Sequence, residues 1–91
     1  MIRVEMPVKD FSFIRRNCEE NERYFVRIFY YEDSAAFELQ EKDYDAFLAD
    51  YHSAIVRKGI TDGQTVNDTG LRLNRILHQY IEPETDNYVI Y

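Results

Sequence analysis

Between Asp43 and Gly59 the apolar side chains Tyr44, Phe47, Leu48, Tyr51 and Ile55 recur at i, i+3, i+4, i+7 and i+11. That spacing puts them on one side of an α-helix. The other side carries Lys42, Ala46, Ala49, Ser53 and Arg57, an ordinary solvated mix. Asp43 stands where an N-cap is wanted, and Gly59 where a helix end often needs backbone freedom. A helix with one aromatic-aliphatic stripe must lay it on something, and a sheet is the simplest partner.

Strand material is present on both sides of that helix. Tyr24 to Tyr31 is dense in aromatic and β-branched residues and contains neither Gly nor Pro. Alternation assigns Tyr24, Val26, Ile28 and Tyr30 to the core side, and Phe25, Arg27, Phe29 and Tyr31 to the other. Glu32-Asp33-Ser34 is a polar turn, and Ala36 to Gln40 returns with Phe37 and Leu39 facing one way, which predicts a hairpin. Ile2, Val4 and Met6 alternate with Arg3, Glu5 and Pro7 as in a half-buried strand, ended by Pro7 or confined by it to a sheet edge. Asp10 to Asn21 admits two readings. Phe11, Ile14 and Cys18 have helical spacing behind an Asp10 cap, whereas Phe11 and Phe13 alternate like a strand; the helix is preferred.

Ile60 to Asn67 reads as a polar loop with Asp62-Gly63 as its turn. A second helix is expected from Asp68 to Ile81, burying Val66, Thr69, Leu73, Ile76, Leu77 and Tyr80 and stopped by Pro83. Tyr88-Val89-Ile90-Tyr91 has the composition of a strand suited to closing a sheet edge. The expected fold is a single α+β domain over residues 1–91. It has a small, mostly antiparallel sheet of three to four strands packed by two helices, or by three if the Asp10 segment is helical. With that third helix the order resembles a ferredoxin-like split βαβ arrangement; without it the chain is a meander variant backed by two helices.

Composition narrows the class further. Hydrophobic residues make up 45%, with 8 Tyr and 6 Phe against only 3 Gly and 2 Pro, so a packed core is affordable and disorder is not expected. Cys18 is the single cysteine, which rules out an intrachain disulfide and, with two histidines, a thiol-metal cluster. That usage fits a reducing, cytoplasmic setting. Met1 to Val8 carries Arg3 and Glu5 and does not read as a secretory leader, and no apolar run approaches membrane-spanning length.

The net charge of −6 is unevenly placed. Glu32, Asp33, Glu38, Glu41, Asp43, Asp45 and Asp50 face one base, Lys42, between residues 32 and 50, and Glu82, Glu84 and Asp86 add negative charge near the end. Such a patch repels phosphate backbones and attracts basic protein surfaces, although solubility alone also accounts for it.

These features predict a non-catalytic protein-protein binding module, without cofactor or metal, that uses either of two surfaces. One is the strand face Phe25, Arg27, Phe29 and Tyr31, whose aromatic and Arg content is typical of interface hot spots and, unless the Asp10 segment or the C-terminal residues cover it, of self-association to a homodimer. The other is the acidic stretch represented by Glu38, Glu41, Asp43, Asp45 and Asp50, suited to a basic partner such as a host nuclease or another nucleic-acid-binding protein. Small acidic inhibitors or adaptors of phage and mobile-element type work in that way, a parallel of class rather than of motif. The alternative is a small nucleic-acid-binding domain using the aromatic strand face or the Arg72/Arg75 side of the second helix, where Asn74, His78 and Gln79 also point outward. Arg23-Tyr24-Phe25-Val26 lacks the glycine of an RNP1 motif, and the Gly59–Asn67 connection is too long for a helix-turn-helix. For catalysis, Cys18 with His52 or His78 is the one thiol-imidazole combination, and Cys18 reads better as a small core residue. The spacing of Asp43, Asp45 and Asp50 is not that of a calcium loop, and no Gly-rich phosphate loop, Gly-x-Ser-x-Gly or His-Glu-x-x-His is present.

Overall fold

The alternating N-terminal residues form strand β1 (Ile2–Pro7), and the chain passes directly into helix α1 (Val8–Asn17). A 3-10 helix over Glu19–Tyr24 follows, then β2 (Arg27–Tyr30), β3 (Ser34–Leu39), a short 3-10 turn at Glu41–Asp43 and α2 (Tyr44–Gly59). The two-residue strands β4 (Ile60–Thr61) and β5 (Thr65–Val66) lead to α3 (Asp68–Ile76), which runs on into a π-helical turn at Leu77–Ile81. This computed structural model describes residues 1–61 and 65–82. The expected Asp62-Gly63 turn, the Pro83 stop and the Tyr88–Tyr91 strand lie outside the described residues.

The main sheet has the order β1-β3-β2 with both pairings antiparallel. β1 and β2 therefore run parallel on either side of β3, with α1 in the connection between them, which is a split βαβ unit. Helices pack on one side of this sheet, so the molecule is α+β. The residues between α2 and α3 make a second, minimal antiparallel pair, β4 with β5, where a loop was expected.

The core lies between the helices and the face of the sheet that carries Val4, Met6, Ala35, Phe37 and Leu39. Phe37 is its centre: Phe25 stacks on it with ring centroids 4.4 Å apart, and Phe11 and Phe47 lie at 5.9 and 5.6 Å. The α2 stripe packs as its period predicts, with Phe47, Tyr51 and Ala54 buried and Tyr44, Leu48 and Ile55 partly so. Tyr51 is the largest fully buried side chain, and its hydroxyl donates to Leu73 O at 2.6 Å, joining α2 to α3 through the core. Burial raises the pKa of that phenol, keeping the hydroxyl a neutral donor. Gly59 and Gly70 let the same two helices touch backbone to backbone: a Cβ at Gly70 would stand 2.5 Å from Gly59 O and 2.8 Å from Gly59 Cα. Gly59 is thus needed for close approach rather than for chain reversal.

Several expectations are corrected. The strand expected from Tyr24 begins only at Arg27, because Val26 N–H donates to Glu38 O at 2.7 Å while Arg27 is the residue in register with Glu38. Two residues opposite one is the count of a β-bulge, and the extra residue inverts the alternation before it. Phe25 consequently turns into the core, whereas Val26, expected inside, is 43% exposed. Tyr30 does lie on the core side, edge-on to Phe11 at 5.8 Å, but as the last residue of an edge strand it is 58% exposed. Asp43 makes no capping hydrogen bond, since the preceding 3-10 turn holds it at φ −95° and ψ −4°, outside the extended geometry of a cap. Helix α3 does begin at Asp68 as expected, with Asn67 as its cap: the Asn67 side chain accepts from Gly70 N–H at 2.9 Å and donates to Lys58 O at 3.1 Å. Val66, placed on the buried stripe of that helix, lies in β5 and is exposed.

Candidate functional site

The face of the sheet turned away from the helices is built by strand parity. Antiparallel register aligns Arg3, Glu38 and Arg27 in one row across the three strands, and Glu5, Ala36 and Phe29 in the next. The first row alternates in charge, the favourable arrangement for cross-strand neighbours. Arg27 lies 3.8 Å from Glu38, and Arg3 lies 3.5 Å from Glu5. Ala36 is fully buried yet outside the core cluster, so larger side chains close over it on this face.

Arg3 spans the sheet. Strands are spaced about 4.8 Å apart, and Arg3, whose own partner on β3 is Glu38, reaches β2 on the diagonal toward Phe29, in the row where the residue on β3 is the small Ala36. The Arg3 guanidinium carbon sits 4.8 Å from the centroid of Phe29 and 5.8 Å from that of Tyr31, and its Nη2 donates to Tyr31 OH at 2.5 Å. A guanidinium between two rings is a cation–π arrangement that holds the aromatics in place and leaves them partly exposed. Of the predicted strand face, then, Arg27, Phe29 and Tyr31 are brought together here and Phe25 is not, for the bulge carries it inside. Arg3 was missed. Its outward parity in β1 was legible, but its link to Phe29 and Tyr31 required the order of strands.

The acidic residues are divided between the two ends of this face. Glu32 and Asp33 are exposed at the β2–β3 turn, and Glu41 and Asp45 are exposed beyond the other end of β3, with Asp43 half-buried between them. β3 separates the groups by about 20 Å at the usual rise per residue. Glu38 lies on the face itself. Asp50 does not belong to this surface as an open charge: it accepts from Tyr24 OH at 2.8 Å and pairs with Arg23 at 2.5 Å. The Tyr24 hydroxyl, and then the Arg23 guanidinium, hold its carboxyl below the usual carboxylate range.

Arg72 and Arg75, expected to point freely outward, both converge on Asp10 Oδ1, at 3.2 and 2.9 Å. Asp10 is therefore no N-cap. Helix α1 starts two residues earlier, at Val8, and the carboxylate in its first turn is buried beneath α3. Arg75 also donates to Gln79 at 2.9 Å, and Arg72 lies over the Phe13 ring at 4.2 Å. These contacts turn the pair into an interhelix clasp and weaken the case for base reading by this helix.

Cys18 is buried, and burial pushes its thiol up to about 12, the opposite of what a nucleophile needs. His52 lies exposed on α2, in a shallow groove of about 500 Å3 with Ser53, Val56 and Arg57. Among the described residues no group of three or more His, Cys, Asp or Glu is placed to hold a metal ion, and no helix is long and apolar enough to cross a membrane. No family model, characterised protein or solved structure matches the chain.

Proposed function

We propose that the protein is a non-catalytic protein-binding module that docks the open face of its sheet on a basic surface of another protein. One observation carries this reading: the face that no described helix covers holds Phe29 and Tyr31 around Arg3, beside Arg27, and acids bracket it at both ends of β3. Aromatics and Arg supply contact area and direction, while the flanking carboxylates steer a basic partner and disfavour polyanions. A nuclease or other nucleic-acid-binding protein presents a matching surface, and occupying it in place of phosphate would make this chain an inhibitor or adaptor. A cytoplasmic setting belongs to the same proposal, supported by the single cysteine and its place in the core.

Affinity capture from the native host tests the proposal, using wild type, Phe29→Glu, and a Glu41→Lys/Asp45→Lys double variant. A partner held by wild type should be lost with either variant. It should also be lost as salt rises from about 0.1 M to about 1 M, where the screening length falls from about 10 Å to about 3 Å. Capture that ignores salt, or that is equal for all three proteins, overturns it.

A further inference from the structure

On the helical side, away from the open sheet face, α1 turns Lys9, Ser12 and Arg16 outward at spacings of three and four residues. That puts them in one stripe along the helix. Helix α3 sets Arg72 beside the stripe, and with Val8 these side chains line a groove of about 310 Å3. Arg72 is held in advance of any ligand: its Nη2 donates to Asp10 Oδ1 at 3.2 Å and to Lys9 O at 3.4 Å, and Phe13 supports its guanidinium from below. Its Nε and Nη1 make no hydrogen bond among the described residues, which leaves Arg72 with donors to spare at the groove it lines. Arg16 packs on the same ring, 5.9 Å from its centroid.

The charge pattern singles out this groove. Acids outnumber bases 17 to 11, so a cation finds a carboxylate easily. Arg3, Arg15, Arg23, Arg27, Arg57, Lys58, Arg72 and Arg75 all lie within ion-pair distance of one. Among the described residues only Lys9, Arg16 and Lys42 do not, and two of those three line the groove. Asp10 shares its one carboxylate between Arg72 and Arg75, and no acid is among the residues lining the groove, which leaves the site positive in a chain of net charge −6.

We infer that this groove binds a compact oxyanion of the phosphate class, inorganic phosphate or a phosphomonoester. Arg72 supplies preoriented donors, Lys9 and Arg16 supply charge, and the Ser12 hydroxyl supplies a neutral donor. The groove is near the lower end of small-ligand volumes, and three cations are a short footprint for a nucleic-acid track. The inference stands independently of the sheet-face proposal, since the two sites share no residue.

The test is a titration of the isotope-labelled protein followed by backbone amide shifts, at ionic strength held constant with chloride. The probes are inorganic phosphate, O-phosphoserine and a phosphoserine peptide. Saturable shifts confined to α1 and α3 are expected with the first two; tighter binding of the peptide would support the site equally and assign its ligand to a protein chain. A Lys9→Glu/Arg16→Glu variant, both positions being exposed and so compatible with folding, should bind about ten-fold more weakly or worse, as expected for lost charge-assisted bonds. Lys42→Glu should bind as wild type does. Non-saturating shifts that chloride reproduces would show an adventitious ion only and overturn the inference, as would equal binding by the double variant. Binding of a short DNA duplex more tightly than phosphate, lost in the double variant, would overturn the compact-ligand assignment.

Discussion

Asp10 is 6% exposed and receives guanidinium groups from Arg72 and Arg75, so a single carboxylate ties the first turn of α1 to α3. Replacing it with Asn keeps the shape and removes the charge. Both arginines are more than a third exposed and can rehydrate, so the loss should be about 1–2 kcal/mol rather than the larger figure for a fully buried pair. That corresponds to a melting temperature lower by roughly 5–10 °C in a chain of this size, readable by thermal circular dichroism. Asp50 gives a pH signature. Its folded-state pKa is depressed by Tyr24 and Arg23, so in acid the unfolded chain binds more protons at this position than the folded one does. Its contribution is whole above the unfolded value of about 3.9 and is lost as pH falls from there through the folded value. Denaturant titrations at descending pH should show a shallower acid decline for Asp50→Asn than for wild type; parallel curves would remove Asp50 from the cause.

At the scale of elements, the bulge at Val26–Arg27 decides which aromatics are structural. Phe25→Ala removes a ring stacked on Phe37 and should cost about 2–4 kcal/mol in urea unfolding. Phe29→Ala lies on the open face and should cost about 1 kcal/mol or less. Uninterrupted alternation from Tyr24 to Tyr31 would put both rings on the open face and make the two costs alike, so the pair of measurements tests the bulge directly. The α2–α3 crossing makes the second element-scale prediction. Ala for Gly in an exposed helix usually gains about 1 kcal/mol. At Gly70 the added methyl meets Gly59 backbone, which cannot swing aside as a side chain can, so Gly70→Ala should instead lose about 1–3 kcal/mol by overpacking. Chemical denaturation of the variant reads the sign. The π-helical turn at Leu77–Ile81 extends this contact, for Tyr44 OH donates to Ile81 O at 3.0 Å and fastens it to the start of α2.

At the scale of the whole molecule, charge and exposed rings are sorted by face: aromatics and flanking acids on the open sheet, a cationic groove between α1 and α3 on the helical side. If the open face joins two copies, Phe29→Glu should halve the mass measured in solution by light scattering. A wild-type monomer would exclude a homodimer and leave a different protein as the partner. The periodicities of α2 and α3, the β2–β3 hairpin, the strand parity of β1 and the α+β class were determined by the amino-acid sequence alone, because each is a repeat of side-chain spacing within one segment; for α1 the sequence left helix and strand both open, and the fold chose the helix, from Val8. Cys18 was likewise legible as a core residue from its helical neighbours Phe11 and Ile14. Three matters were decided only by the tertiary structure. The side taken by Phe25 depends on one inserted residue opposite Glu38, which no alternation rule registers. The use of Arg72 and Arg75 depends on a carboxylate 62 and 65 residues away in the chain. The assembly of Arg3 with Phe29 and Tyr31 depends on β3 lying between β1 and β2 with an alanine at the crossing. In each case the deciding contact joins residues far apart in sequence, and its energy exists only after the chain has folded to bring them together.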